Sequence, residues 1–423
     1  MSIVADSAQV TWGIAALSAG GVIVRPWRLP EAIWAVFGAA ALVVFGLLPW
    51  TDALIGVRKG LDVYLFLTGM MLLAELARQE GLFDWLAALA VEHARGSPQR
   101  LFVLVYAVGA AVTIFLSNDA TAVVLTPAVY AAARAAGASP LPYLLVCAFI
   151  ANAASFVLPI SNPANLVIFD GRMPHLSAWL GQFGLPSVAA IGATYVMLRV
   201  TQHDALRRER IAHEVARAAL GHGGRSAAAG IAATAVALLL CSAFDLQLGL
   251  PTFVCGGATT IIVLLANRQA PWPLLRHVSW GILPLVAGLF VLVEGLDRSG
   301  LIAMLNQLAG EAVRASSAGA TWSAGIVIAL ACNLMNNLPA GLIAGSVMAL
   351  DHVPPDLAGA TLIGVDIGPN LSVTGSLATI LWLVALRREG QDISAWRFLR
   401  LGVVVMPPAL ILAIGTLLVI GAR

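Results

Sequence analysis

Long apolar segments recur along almost the whole chain, and they restrict it to the few folds that can satisfy their backbone groups in lipid. Hydrophobic residues are 60% of the sequence and charged residues 11%, against about 45–50% and 25% in soluble domains. The segments are long enough for membrane-spanning helices, in which every backbone hydrogen bond is internal. The sequence therefore predicts an all-α polytopic membrane protein with ten transmembrane helices, at 11–25, 30–50, 61–79, 142–169, 176–200, 226–246, 250–267, 279–297, 357–386 and 396–420.

Two further apolar regions are interrupted by polar residues. Region 100–136 is broken at Ser117–Asp119, and region 319–350 is broken at Asn336–Pro339. As a helix, the last arm (338–350) would be about 20 Å long, which is too short to cross a hydrocarbon core of about 30 Å. Each region is therefore predicted to be a re-entrant hairpin whose tip lies near the middle of the membrane. Polar groups at that depth are costly, and they are typical of a solute-binding site.

Two of the predicted helices carry helix-breaking residues halfway along. In 142–169, prolines lie on either side of Ser161 and Asn162, and in 357–386 Pro369 follows a glycine. Proline removes a backbone donor and clashes with the preceding turn, so both helices are expected to unwind there. Unwound backbone inside a membrane is tolerated where it lines a cavity, as in the substrate sites of secondary transporters.

The two halves of the sequence resemble each other at a constant offset. Without gaps, a shift of 219 residues carries Glu75 onto Glu294 and Asn118 onto Asn337. The chain crosses the membrane five times between the two units, and a hairpin adds zero or two crossings, so the second unit enters from the opposite face. The sequence therefore predicts an inverted-topology repeat, with N-terminal helices 1–60, a first repeat 61–200, a cytoplasmic loop 201–225, connecting helices 226–278 and a second repeat 279–423.

Positive charge is distributed unevenly between the two sides of this topology. With the N-terminus outside, 18 of the 24 Lys and Arg residues flank the cytoplasmic side and 6 flank the outer side. Because cytoplasmic loops are enriched in these residues, both termini are predicted to lie outside the cytoplasm. The charge run in 201–225 is expected to be a solvated loop helix.

Cysteine and histidine are not grouped in the sequence. The four cysteines are single and far apart, no CxxC pair occurs, and all seven histidines lie in or beside predicted loops. This spacing predicts neither a zinc site nor a disulfide framework. The sequence shows no pairing of a nucleophile with a base that would indicate an enzyme. We therefore expect a protein without catalytic residues or a cofactor.

Four motifs at the predicted breaks resemble those of one transporter family. They are SNDATAVVLTP (117–127), PISNPANL (159–166), MNNLP (335–339) and IGPNLSVTGSLATILW (367–382). They are similar to the corresponding motifs of the arsenite/antimonite efflux permeases of the ArsB type, within the ion transporter superfamily. The likeness extends from about residue 30 to residue 420 and is densest at 357–400.

This resemblance implies a carrier in the bacterial inner membrane that exports neutral As(OH)3 or Sb(OH)3 and is driven by proton entry. In some members a soluble ATPase subunit is a partner. The sequence departs from the family at two places: Asn152 stands where an aspartate is expected, and Asn370 stands where a lysine is common. The loss of two opposite charges is interpreted as a compensated exchange.

The polar residues at the breaks suit an uncharged solute with several hydroxyl groups. Each hydroxyl of As(OH)3 both donates and accepts a hydrogen bond, which amide and hydroxyl side chains can satisfy without a buried charge. The same side chains could instead only hold helices together. The predicted substrate-binding residues are Ser117, Asn118, Thr121, Ser161, Asn162, Asn165, Asn336, Asn337, Thr374 and Ser376.

Proton coupling requires a group that titrates inside the membrane. Asp119, at the first hairpin tip, is the first candidate, and Asp366, at the second break, is the next. Glu75 and Glu294 match in the repeat, but each has an arginine close by. These two glutamates are therefore expected to form ion pairs rather than to carry protons.

Three alternatives remain open at the level of the sequence. A sodium- or proton-coupled organic-anion carrier or a sodium/proton antiporter of the same superfamily is the first, although no Lys or Arg lies near a segment centre. A membrane scaffold without transport is the second. Thiolate capture of arsenic is a rival chemistry, with Cys332 as its candidate metal ligand, although we expect Cys332 to be a small packed hydrophobic side chain.

Overall fold

The computed structural model of the chain describes residues 2–169, 173–208, 211–212, 219–349 and 353–422, and all regular secondary structure in these ranges is helical. The predicted loop 201–225 lies partly outside the described residues. Ahead of the first predicted repeat are helices α1 (Ser2–Val24), α2 (Glu31–Val44) and α3 (Trp50–Lys59).

The first predicted repeat contains eight helices. A π-helical segment, Thr121–Leu125, joins α7 to α8. The helices are α4 (Leu61–Gln79), α5 (Leu82–Ala94), α6 (Pro98–Phe115), α7 (Asn118–Ala120), α8 (Thr126–Ala135), α9 (Leu141–Ala153), α10 (Pro163–Phe169) and α11 (Leu176–Thr201).

The remaining helices fall into a connecting group and a second set. The connecting helices are α12 (His203–Arg208), α13 (His222–Ala243), α14 (Gly249–Ala266) and α15 (Pro271–His277). The second set comprises α16 (Ile282–Arg298), α17 (Leu301–Ala315), α18 (Ser317–Met335), α19 (Asn337–Met348), α20 (Pro355–Ile367), α21 (Leu377–Arg388) and α22 (Ala395–Gly421).

The prediction of an all-α polytopic membrane protein is confirmed. Seven helices in the described ranges are long and apolar enough to cross a membrane, or nine if the bent pairs α3–α4 and α15–α16 each count as one span. This number is lower than the ten predicted from the sequence, and two of the seven, α6 and α18, are first arms of the predicted hairpins. The interrupted helices are one reason, because their pieces α9, α10, α20 and α21 contain only 7 to 13 residues each.

The two sets of helices begin at matching positions. Helices α17, α18 and α19 each start 219 residues after α5, α6 and α7. The local signals also match, because Gly81 and Gly300 precede α5 and α17 with φ of 71° and 86°, a region that glycine enters without steric cost. Ser97 and Ser316 then cap α6 and α18 through their side chains. Helices α5 and α17, which precede the predicted hairpins, were not assigned from the sequence.

The breaks are located in the interior of the molecule. Every residue of α9 from Pro142 to Ala153 is buried, as is every residue of α20 from Gly359 to Ile367. Backbone groups that leave the helical pattern at the ends of these helices are therefore enclosed by protein, as is required at membrane depth.

Candidate functional site

The tip of the first predicted hairpin is a helix break closed by its own side chains. Helix α6 ends at Phe115, and Oγ of Ser117 accepts a hydrogen bond from the N–H of Ala120 at 3.2 Å. Oδ1 of Asn118 accepts from the N–H of Asp119 at 2.9 Å. Serine and asparagine are common at helix starts because their oxygens satisfy such free N–H groups. Both predicted residues therefore shape the tip.

Thr121 joins the two arms behind this tip. Its hydroxyl lies 2.8 Å from the hydroxyl of Thr113 on α6. The Thr113 hydroxyl donates to the carbonyl oxygen of Gly109 at 2.8 Å, and Thr121 and Thr113 are both 0% exposed. The observed contact of Thr121 is thus the helix-joining role that polar side chains have inside membranes.

The first predicted helix break, between α9 and α10, is held by hydrogen bonds from its polar side chains to backbone oxygens. The Ser161 hydroxyl donates to the carbonyl oxygen of Ile114 at 3.0 Å, which ties the break to the end of α6. Nδ2 of Asn165 donates to the carbonyl oxygen of Ser155 at 2.9 Å. Within the described residues, Oδ1 of Asn165 is buried and has no hydrogen-bond partner. This oxygen is therefore free to accept a hydrogen bond.

The tip of the second predicted hairpin is strained and is bonded to the second break. Asn336 has φ of 76° and ψ of 153°, a conformation that costs about 1–3 kcal/mol in a residue other than glycine. Its Oδ1 accepts from the N–H of Leu338 at 3.3 Å. The N–H of Asn337 donates to the carbonyl oxygen of Gly375 at 2.9 Å. The hairpin tip and the unwound segment before α21 are therefore one connected unit.

Asn333, one turn before this tip, organises the second break. Its Nδ2 donates to the carbonyl oxygen of Gly368 at 3.0 Å, and its Oδ1 accepts from the Ser372 hydroxyl at 2.6 Å. The Thr374 hydroxyl donates to the backbone oxygen of Asn333 at 3.1 Å. Sequence reasoning missed Asn333 and Ser372. The available signal was an asparagine on an apolar helix at a spacing of one turn from the tip.

A buried amide cluster connects the two halves. Nδ2 of Asn152 on α9 donates to Oδ1 of Asn370 at 3.0 Å and to the Thr379 hydroxyl at 3.2 Å. The Ser376 hydroxyl donates to Oδ1 of Asn152 at 3.2 Å. All four residues are at most 1% exposed. The two positions at which the sequence departs from the family motif are thus direct partners, and the amides bond where opposite charges were expected.

A second contact joins the two broken helices. Nδ2 of Asn162 donates to Oδ1 of Asp366, and Asp366 is 0% exposed. In the described structure, Oδ2 of Asp366 is buried without a hydrogen-bond partner. An unpaired buried carboxylate is costly. A proton on Oδ2, or a donor supplied by a solute, would remove this cost.

The first hairpin tip also lines a cavity. About 600 Å³ of space without protein atoms lies there, part of it continuous with the surroundings, and part of the wall belongs to α4. Ser117 and Asp119 from the tip and Pro163 from the first break contribute to its wall, together with Glu75 and His277. Asp119 is partly exposed there, whereas Asp366 is fully enclosed. The two candidate proton carriers therefore lie in different surroundings.

The predicted site residues fall into four groups, and Asn118 belongs with Ser117 and Asp119 at the first tip. Asn162 and Asp366 meet directly, and the Asn336–Asn337 tip contacts the segment that holds Thr374. The other residues do not share one pocket. Ser117 and Asp119 line the cavity. Four more are hydrogen-bonded to nearby helices, to backbone of their own break or to the amide cluster: Thr121, Ser161, Asn165 and Ser376.

The repeat-matched glutamates form the expected ion pairs. Glu75 accepts from Nε of Arg78 at 2.8 Å. Glu294 accepts from Nζ of Lys59 at 2.7 Å and from Nε of Arg298 at 3.2 Å. Both glutamates are almost fully buried, at 7% and 5% exposure, so removal of either cation would leave a buried, unpaired carboxylate.

Cys332 is packed in a hydrophobic core next to α20. It is 0% exposed, and its Sγ lies 3.9 Å from the carbonyl oxygen of Val365. The ranges that the structure describes contain no group of three or more His, Cys, Asp or Glu residues able to hold a metal ion. The surroundings of Cys332 are those of a small hydrophobic side chain.

Comparison with known proteins identifies the family. The citrate transporter (CitMHS) family model matches residues 19–364. The chain is 29% identical to the arsenical pump membrane protein of Yersinia enterocolitica and 28% identical to that of Escherichia coli K12, over 82% of this chain and 84% of each relative. It is 27% identical to an uncharacterized transporter of Mycobacterium tuberculosis over 93% of this chain and 94% of the relative. The resemblance to the arsenical efflux permeases is thus confirmed.

Two solved structures share the fold. The YdaH transporter of Alcanivorax borkumensis superimposes with a TM-score of 0.56 at 16% identity, covering 88% of this chain and 87% of that one. The MtrF structure of Neisseria gonorrhoeae gives 0.51 at 12% identity, covering 87% and 82%. Together with the apolar helices and the family match, these likenesses mean that the chain is a multi-pass membrane transporter belonging to the citrate transporter (CitMHS) family.

Proposed function

We propose that this protein exports arsenite and antimonite as neutral trihydroxides, in exchange for protons, across the bacterial inner membrane. The observation that carries the proposal is the composition of the four breaks. The segments 116–125, 154–166, 333–340 and 366–379 contain amides, hydroxyls and two carboxyl groups, but no Lys or Arg. Relatives named as arsenical pump membrane proteins support the same solute.

The chemistry of the breaks suits an uncharged solute. Each hydroxyl of As(OH)3 donates and accepts. The breaks offer donors and acceptors too, including the unpartnered Oδ1 of Asn165 and Oδ2 of Asp366. An organic-anion carrier is the second candidate, because the family model is described as a citrate transporter. That function would need a counter-charge, which the four breaks do not contain as a side chain.

The matching helix starts support an internal repeat, which we propose to be inverted and to contain two re-entrant hairpins. In this proposal, units 61–200 and 279–423 enter the membrane from opposite faces. Each unit contributes one hairpin and one broken helix, and alternating access moves these elements relative to the rest. The N-terminal helices 1–60 and the connecting helices 226–278 belong to the part of the protein relative to which these elements move. Both termini face outside, and the loop 201–225 faces the cytoplasm.

Asp119 is proposed as the main proton carrier. It lines an open cavity, so it can exchange protons with water, whereas Asp366 is enclosed and bonded to Asn162. Asp366 is the second carrier and accepts the solute or a proton on its free oxygen. The transport cycle is driven by protons without an ATPase; if a soluble ATPase subunit binds, it does so at the cytoplasmic face.

An arsenite-sensitive bacterial strain that expresses this chain tests the function. Growth in arsenite is expected to be restored, with lower cellular arsenic than in the strain carrying an empty vector. Everted vesicles should accumulate arsenite when a proton gradient is applied. Uptake of labelled citrate or succinate with no response to arsenite would replace this function by organic-anion transport. The double variant Asn118→Ala and Asn337→Ala should lose export, whereas a scaffold would keep its role.

Removal of all four thiols is expected to leave arsenite resistance unchanged. The cysteines of the chain are free, and the two buried ones are Cys147 and Cys332. Replacement of all four by serine should cost some stability, because a hydroxyl replaces a buried thiol, but growth in arsenite should match that of the wild type. Loss of resistance that returns when only Cys332 is restored would instead indicate thiolate binding.

Cysteine labelling checks the proposed orientation. In the cysteine-free background, Ser2→Cys and Asp297→Cys are expected to react with an impermeant reagent added to intact cells. Val215→Cys, outside the described residues, should react only after the membrane is opened, because loop 201–225 faces the cytoplasm. The reverse labelling pattern would overturn the orientation while leaving the transport proposal standing.

A further inference from the structure

The cavity at the first hairpin tip contains three ionisable side chains from three different elements. Asp119 belongs to the tip, Glu75 to α4 and His277 to the end of α15. The other described residues in its wall are apolar or hydroxyl-bearing, such as Pro163 and Leu381. The cavity is therefore a route along which a proton could leave Asp119, and the question is which group receives it.

Glu75 is already engaged. Both of its carboxylate oxygens accept hydrogen bonds from Arg78, through Nε at 2.8 Å and through an Nη atom. A proton on Glu75 would break an ion pair that is almost fully buried, which is unfavourable. His277 carries no such partner charge among the described contacts, and the neighbouring charged residue on α15 is Arg276, which is exposed. His277 is thus the available proton acceptor.

The geometry of His277 prepares it for this exchange. The side chain is exposed, and Nδ1 lies 2.7 Å from the carbonyl oxygen of Pro273. A carbonyl oxygen only accepts, so Nδ1 carries the hydrogen, and Nε2 of the neutral ring is left with a free lone pair. Histidine is the side chain that takes up and releases protons near neutral pH.

The matching region of the second half lacks this arrangement. The 219-residue shift places Leu338 at the position of Asp119 and Arg58 at that of His277. Glu294, the counterpart of Glu75, is bonded there to Lys59 and Arg298. A cavity is present there too, lined by Lys59, Glu294 and Asp297. Its ionisable groups belong to an ion-pair cluster, whereas the cavity of the first half combines Asp119 with a histidine.

We propose that His277 is the cytoplasmic proton acceptor for Asp119. This inference rests on the proposed proton-coupled export and on the orientation in which α15 faces the cytoplasm. The protonated carboxyl group of Asp119 loses its proton through water in the cavity to Nε2 of His277, leaving a carboxylate and an imidazolium. The imidazolium then releases the proton to the cytoplasm and returns to the neutral ring, so one proton moves inward per transfer.

Chemical rescue in everted vesicles tests the proposal, because the cytoplasmic face of the protein is then exposed to the medium. His277→Ala is expected to lower proton-driven arsenite uptake about tenfold, less than the 10²–10⁴-fold typical of a directly positioned proton donor, because water also carries protons. Imidazole in the medium should restore uptake, measured as the ratio of variant to wild type at each concentration. His277→Gln, which cannot carry a proton, should show the same loss.

His93→Ala is the matched control, since His93 is also exposed and has the same bond from Nδ1 to a backbone oxygen, at 2.9 Å from Leu89, but does not line the cavity. Its uptake should equal that of the wild type. Unchanged uptake in His277→Ala, or a loss that imidazole does not restore at equal protein level, overturns the role of His277. Absence of proton-driven uptake in the wild type instead refutes the proposed function itself.

Discussion

Asp119→Asn is expected to abolish proton-driven arsenite export. The asparagine side chain has nearly the same shape but cannot bind and release a proton, so the solute can no longer be moved against its gradient. Accumulation of arsenite in everted vesicles should fall to the level of vesicles without the protein. Exchange of labelled arsenite down its gradient should continue, because an amide resembles the protonated carboxyl group.

The fold should tolerate this change. The backbone N–H of Asp119 donates to Oδ1 of Asn118, and the substitution does not alter that bond. Asp204→Asn is a suitable control, since Asp204 is exposed on α12 outside the cavity. Undiminished accumulation in Asp119→Asn would remove this residue from the mechanism and direct attention to Asp366.

Asn152→Asp is expected to destabilise the protein strongly. Nδ2 of Asn152 lies 3.0 Å from Oδ1 of Asn370, and both side chains are enclosed. The substitution replaces this donor by an oxygen that faces another oxygen and leaves a carboxylate without a cation. A buried charge without its partner costs about 3–5 kcal/mol. The unfolding temperature of the purified protein in detergent should therefore fall, together with its expression.

Adding Asn370→Lys to Asn152→Asp should recover much of this loss. The ammonium group would then stand beside the carboxylate, so the charge would again be paired. The double-mutant cycle measures the coupling directly. Gln269→Glu serves as the control for an added carboxylate, because Gln269 is exposed. A double variant that is as unstable as the sum of the single variants would show that the two positions do not act as a pair.

These two predictions concern different kinds of polar residue. Asp119 lines a cavity and is partly exposed there, so its carboxyl group is open to exchange in the proposed transport cycle. Asn152 and Asn370 are sealed in the contact between the halves, so their amides determine how the two broken helices are held together. A loss of function with an intact fold is the expected result for the first, and a loss of fold for the second.

Several features of the fold were predictable because they depend on local chemistry. Apolar segments predict helices in a membrane, and glycine, serine, asparagine and proline predict where helices start and stop. Ser117 and Asn336 were identified as breaks for this reason, and both are helix caps. The ion pairs of Glu75 and Glu294 were predictable because their arginines lie three and four residues further along the same helices.

Other features depend on contacts between residues that are far apart in the chain. The pairing of Asn152 with Asn370 spans 218 residues, and that of Asn162 with Asp366 spans 204. Asn333 was missed because its importance comes from Gly368 and Ser372, which only packing of α18 against the second break brings near. A local sequence pattern does not indicate which residues from distant parts of the chain will be in contact.

By itself, the sequence determined the membrane class, the position of the breaks and the chemical character of the residues at them. These follow from hydrophobicity and from backbone preferences, which act over a few residues. The tertiary structure alone decided which polar groups meet, which remain unpartnered and which carboxyl group lines a cavity. Those properties arise from enclosure by distant helices, and this enclosure places Asp366 in the interior and Asp119 at an open cavity.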